Sequence, residues 1–124
     1  MPAPRIPGLR IALAQVNAVV GDLAGNAELL VEAARAAQAA GAQVLLAPEM
    51  ALTGYPVEDL ALRPSFQDAS VRAARDLAAR LRDEGLGELV AVIGYLDHLD
   101  EQDLGVAGRP RRGSVNAAAV IHRG

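Results

Sequence analysis

Neither cysteine nor lysine occurs anywhere in the sequence, and tryptophan is absent as well. Without cysteine the chain can form no disulfide and no thiolate metal site, and it offers no cysteine nucleophile of its own. All 12 basic residues are arginines, and the bias towards Ala and Arg reads as mutational bias in the coding DNA. Aromatics are nearly missing, with one Phe and two Tyr, so a core must be built from Ala, Val and Leu, which pack closely but carry little bulk. No apolar run approaches the roughly 20 residues that cross a bilayer, and no signal-peptide pattern opens the chain. A net charge of −3, with arginines scattered among acids, suggests neither a nucleic-acid nor a membrane surface. The expectation is a soluble, cytoplasmic α/β protein, and 124 residues is the size of one ordinary domain.

Alternation, periodicity and turn residues divide the chain into strand, helix, strand, helix, strand, strand. Residues Met1–Gly8 carry three prolines and read as a disordered lead-in. Leu9–Asn17 is the first expected strand, with Ile11 and Leu13 on one side and Ala12, Ala14 and Val16 on the other. Asp22 or Asn26 can cap a helix over Leu23–Ala40, whose inward face is Ala27, Leu30, Val31, Ala34 and Ala37, with Gly41 as its stop. Gln43–Ala47 is a second strand, so strand, helix and strand form a right-handed parallel crossover. A second helix is expected over Pro64–Asp83, with Phe66, Ala69, Ala73, Leu77 and Leu81 inward, and with Asp68–Arg72 and Asp76–Arg80 as exposed i,i+4 pairs. Gly85 and Gly87 end it. Glu88–Leu96 is an internal strand in which Gly94 permits close backbone approach. Asp97–Gly113 reads as a surface loop, and Ser114–His122 as the last strand.

Chemistry concentrates after the second strand. Pro48 stops the run Val44–Ala47 because it has no N–H for the ladder, and Glu49 follows at the carboxyl end of the strand, where ligands bind in α/β sheets. Glu49 there suits a general base, although capping the next turn or pairing with an arginine would place an acid there equally well. Tyr55, in the turn-rich stretch Thr53-Gly54-Tyr55-Pro56, either walls a substrate pocket or packs the loop down with its hydroxyl in solvent. Glu58 and Asp59 suit the start of a turn better than a second catalytic acid, and no histidine nearby completes a metal site. The arginines Arg109, Arg111 and Arg112 suit a solvated loop tip better than a phosphate site. His98 is placed on a loop and His122 at a strand end, neither with an evident partner.

Pro48-Glu49 followed by Leu52-Thr53-Gly54-Tyr55-Pro56 and Glu58-Asp59-Leu60 resembles the base motif of the nitrilase (carbon–nitrogen hydrolase) superfamily. The continuation Leu62-Arg63-Pro64 resembles the branch formed by the glutaminase domains of glutamine-dependent NAD synthetases. So do the opening run Ile11–Asn17 with Val20-Gly21-Asp22 and Gly25-Asn26, and the segment Asn116-Ala117-Ala118, although Val115 stands where that branch has Tyr. The resemblance implies a nitrilase-like α-β-β-α sandwich, of which residues 9–124 would be the first half of a glutaminase domain. It implies Glu49 as general base and glutamine as substrate, and Tyr55, on the loop beside that base, is the candidate substrate contact. A synthetase domain using ATP and Mg would lie outside this chain, which itself takes no cofactor, and the complete protein is expected to be a homo-oligomer. That superfamily works with a Glu–Lys–Cys trio, and two of the three residue types are missing here. The lysine is expected beyond Gly124, with the cysteine further on, and residues 1–124 alone are expected to be inactive and aggregated or molten. Two alternatives stay open: a fragment of a stand-alone amidase, and a non-catalytic α/β binding module.

Overall fold

The computed structural model describes residues 8–100 and 113–124. Most of the expected lead-in, and the Arg109, Arg111 and Arg112 cluster, lie outside the described residues. The described elements are β1 (Ile11–Leu13), α1 (Leu23–Ala39), β2 (Val44–Leu46), a short 3₁₀ turn (Glu58–Leu62), α2 (Pro64–Asp83), β3 (Val90–Leu99) and β4 (Gly113–Ile121). They build one sheet in the order β1-β2-β3-β4, in which β1, β2 and β3 run parallel and β4 pairs antiparallel with β3. Because the parallel strands step in one direction across the sheet, two right-handed crossovers put α1 and α2 on the same face.

That face holds the core. Leu30, Val31, Ala34 and Ala37 of α1 and Leu77 and Leu81 of α2 pack with Leu45, Ala91, Ile93 and Ile121 from the strands. The opposite face of the sheet is open. Leu13 and Val120 are 67% and 71% exposed there, and Ile11 and Leu46 about half so. The chain is thus a two-layer structure, the helix layer and one sheet, as expected for the first half of a four-layered sandwich.

Several boundaries and faces differ from the sequence reading. The first strand keeps only three residues, because after the bond from Ala14 N–H to Leu46 O the chain leaves the ladder for the loop that leads to α1. β3 extends through Asp97 and His98 to Leu99, so the start of the expected surface loop is strand, and His98 is a strand residue. Pairing with antiparallel β4 allows polar residues to alternate on a strand with a solvated face, whereas the composition alone reads as loop. Asp22 caps α1 by accepting from Gly25 N–H, leaving Asn26 free for another task.

The inward face of α2 is turned by about one residue in its first half, to Gln67, Ser70 and Ala74 rather than Phe66, Ala69 and Ala73. Both polar side chains are buried because each meets backbone: Gln67 Nε2 donates to Ala61 O at 2.8 Å, and Ser70 Oγ accepts from Leu96 N–H at 3.1 Å. The expected ion pairs along α2 are also replaced. Asp68 faces His98 Nε2 at 3.5 Å. Arg80 crosses to α1 and grips both carboxylate oxygens of Glu28, at 2.5 and 3.1 Å, while its Nε reaches Glu84. The hydrogen bond from Arg80 holds the Glu28 carboxyl below the ordinary range, and Glu28 raises the guanidinium in return.

Candidate active site

Beyond β2 the chain closes into a compact turn that carries Glu49. Ala47 N–H makes the last strand bond, to Val92 O, and Pro48 then ends the ladder. Met50 takes up a left-handed backbone, φ 53°, which costs about 1–2 kcal/mol for a residue with a side chain. The turn offsets this with a dense set of bonds. Ala51 N–H donates to Pro48 O, Gly54 N–H to Met50 O at 2.8 Å, and Leu52 N–H to Gly94 O at 3.0 Å. Two glycines let neighbouring backbone close onto it. A Cβ on Gly94 would stand 2.5 Å from both Met50 N and Pro48 O, and one on Gly54 would stand 2.6 Å from Val20 N. The sequence expectation of close approach at Gly94 is met, and the segment that approaches is the turn bearing Glu49.

A second segment is tied to this turn from α1. Asn26 is buried, accepts from Val19 N–H at 2.8 Å, and donates to Val19 O and Leu52 O at 2.8 and 3.0 Å. It therefore joins the loop after β1 to the loop after β2. The sequence reading offered Asn26 only as a cap. The signal that places it inside is its position four residues before Leu30, on the apolar stripe of α1.

The two loops enclose a cavity of about 170 Å³ lined by Val16, Asn17, Ala18, Pro48, Glu49, Met50, Ala51 and Tyr55. Both candidate site residues of the sequence thus share one cavity. Tyr55 is 71% exposed, so its ring forms an outer wall rather than packing the loop down. Small-molecule sites usually enclose ~300–1,000 Å³, and this cavity is smaller. Glu49 is itself exposed, at the end of the open sheet face, and its Oε1 accepts a 2.5 Å hydrogen bond from Asn116 Nδ2 of β4. Among the described residues no arginine forms an ion pair with Glu49. Glu58 and Asp59 form the first turn of the 3₁₀ element, as expected of turn-starting acids.

A separate polar group sits on the helix side of β3. Tyr95 hydroxyl donates to Asp97 Oδ2 at 2.6 Å, which together with burial pushes the phenol up to about 12. Burial pushes Asp97 upward, but the Tyr95 hydroxyl and the His98 N–H overcome it and leave its carboxyl below the ordinary range. His98 also lies 3.6 Å from Asp100, and His122 lies 3.8 Å from Glu88, so both histidines do have acidic neighbours. Among the described residues no cluster of three acid, His or Cys side chains could hold a metal ion. No helix among them is long and apolar enough to cross a membrane.

The two-layer α/β frame is shared with known proteins. A glutamine-dependent NAD(+) synthetase of Synechocystis sp. is 51% identical over 71 residues, covering 57% of this chain and 13% of that protein. The corresponding protein of Thermotoga maritima is 35% identical over 116 residues, covering 94% of this chain and 18% of the relative. The solved structure of a glutamine-dependent NAD+ synthetase from Acinetobacter baumannii, in complex with adenosine diphosphate, superposes with a TM-score of 0.68 at 28% identity. That match covers 93% of this chain and 19% of the solved one. The chain therefore spans less than a fifth of the length of these proteins. Residues 10–97 match the family described as carbon-nitrogen hydrolase, and the chain belongs to that family.

Proposed function

We propose that this chain is the opening part of the glutaminase domain of a glutamine-dependent NAD synthetase, with Glu49 as its general base and Tyr55 as a wall of the glutamine site. The observation that carries the reading is the cavity at the carboxyl ends of β1 and β2, into which the turn after β2 sets Glu49 beside Tyr55. The 51% identity over 71 residues to a glutamine-dependent NAD(+) synthetase supports that branch over a stand-alone amidase. In this reading Glu49 takes the proton of a thiol supplied from outside residues 1–124. The sulfur adds to the side-chain amide carbon of glutamine, and a lysine, also from outside, stabilises the oxyanion. The C–N bond breaks as ammonia leaves with the proton, and water then releases glutamate from the thioester. A positioned base of this kind contributes ~10²–10⁴-fold. ATP and Mg belong to the synthetase domain, and no step assigned to the described residues runs through them.

The test is Glu49→Gln in the full-length protein, which keeps the shape of the side chain and removes the base. Glutamine-driven NAD synthesis should fall ~10²–10⁴-fold while synthesis from free ammonia largely survives. Equal loss of both activities would make Glu49 a structural residue and overturn the reading. Residues 1–124 alone should release no ammonia from glutamine above background.

A further inference from the structure

We infer that Asn116 is a positioning residue for Glu49, holding one carboxylate oxygen so that the other faces the proton it must take. The inference rests on the reading of Glu49 as base and adds to it a partner on another strand. The contact is 67 residues distant in sequence, so no local turn chemistry produces it; the register of β3 and β4 does. Along β4, Ser114, Asn116, Ala118 and Val120 alternate onto the open face, while Val115, Ala117 and Ala119 turn away from it. Asn116 stands opposite Leu96, and Ala118 stands opposite Gly94. Between Asn116 and the Glu49 turn the sheet therefore presents the small pair Gly94 and Ala118, and the amide can reach across them.

The residue type suits the task. An asparagine amide donates without carrying charge, so it fixes the carboxylate without neutralising it as an arginine or lysine would. A hydrogen bond to an ionised acceptor is stronger than one between neutral groups, and the Asn116 amide makes such a bond to Glu49. It engages Oε1 alone, and among the described residues no protein donor engages Oε2. One oxygen is thus anchored and one is open to accept a proton.

The experiment compares Asn116→Ala, Asn116→Asp, Glu49→Gln and the Asn116→Ala/Glu49→Gln double variant in the full-length protein, by glutamine hydrolysis and thermal unfolding. Asn116→Ala removes the donor, and Asn116→Asp keeps the shape but sets a second carboxyl against Glu49, so the pair repels or shares a proton and Glu49 no longer stands ionised and anchored. Both Asn116 variants should lose about 10- to 150-fold in kcat, the range for a hydrogen bond to a charged group, with KM within about twofold and unfolding unchanged. The double variant should be no slower than Glu49→Gln, because the two residues act as one unit. If Glu49→Gln is inactive while Asn116→Ala keeps full kcat, or if the two losses multiply, the role of Asn116 falls and the base stands. Wild-type kcat in Asn116→Asp alone also overturns it. An active Glu49→Gln enzyme overturns the base itself, and this inference with it.

Discussion

Replacing Gly94 by alanine tests how the Glu49 turn is held. The new Cβ would lie 2.5 Å from Met50 N and from Pro48 O, and 2.9 Å from Glu49 C. Non-bonded heavy atoms rest at about 3.5–4.0 Å, so the turn must retreat by about 1 Å. All three atoms are backbone, and the bonds from Leu52, Ala51 and Gly54 bind the turn to β3 and to itself, so no flexible side chain can yield instead. Over-packing of this kind costs about 1–3 kcal/mol. In a full-length domain that corresponds to about 2–4 °C in Tm for each kcal/mol. The larger effect is on chemistry, since a 1 Å misplacement of a reacting group costs ~10²-fold. Glutamine-driven turnover of full-length Gly94→Ala should therefore fall about a hundredfold, with ammonia-driven synthesis retained and Tm lowered by several degrees. Wild-type glutamine turnover together with wild-type Tm would refute the idea that Gly94 seats the base.

Asn26→Ala should destabilise the protein by about 2–5 kcal/mol, because it leaves Val19 N–H, Val19 O and Leu52 O without their buried partner; a loss below ~0.5 kcal/mol by urea unfolding would contradict this. Tyr95 titrates near 12, above its unfolded value of ~10, so the stability it contributes is present below pH ~10 and is lost as pH rises toward 12. Asp97 is depressed, so its contribution is present above its unfolded value of ~3.9 and is lost as pH falls through its folded value. Tyr95→Phe should abolish the late phenolate titration and flatten both limbs of the stability–pH curve, and an unchanged curve would refute the pairing. Residues 1–124 alone should self-associate through the open sheet face, where burying Ile11, Leu13, Leu46 and Val120 from about half exposure offers ~3–6 kcal/mol. A monomer in sedimentation with a sharp thermal transition would overturn that expectation.

Helix positions were legible because local signals agreed. Pro64 opens α2, Asp22 caps α1, and Gly41 at φ 76° and Gly85 at φ 77° stand just past the two helix ends. The faces were less so. Gln67, Ser70 and Asn26 are polar, and polarity normally marks the solvent side, yet each is buried against backbone that only the tertiary fold brings within reach. Periodicity counts apolar residues and cannot see such partners. Strand ends failed in both directions for a related reason. β1 is short because its chain leaves early to build the loop tied to Asn26, and β3 is long because β4 supplies an antiparallel partner as far as Leu99. Neither fact is local.

At the site, the strand-end position of Glu49 and the turn residues around Tyr55 were visible in a single stretch of sequence, and the two residues do meet in one cavity. Close approach at Gly94 was legible too, but a linear reading could not supply which segment approaches it, nor what else holds the two residues. Gly94, Asn26 and Asn116 lie on three different elements, and each acts on the Glu49 turn or its neighbouring loop by a different means: lack of bulk, a buried amide clamp, and a donor across the sheet. The apolar runs carry a further lesson. Val44–Leu46 shows no alternation, the pattern of a strand buried on both faces, yet Leu45 is 1% exposed and Leu46 is 44% exposed. The helix layer accounts for Leu45 and nothing among the described residues accounts for Leu46. Glu49 lies at the end of that same open face. A layer packed over Leu13, Leu46 and Val120 would therefore also change the surroundings of the Glu49 carboxylate, drying the site and strengthening the Asn116 bond, since a charge-assisted hydrogen bond gains as water is excluded.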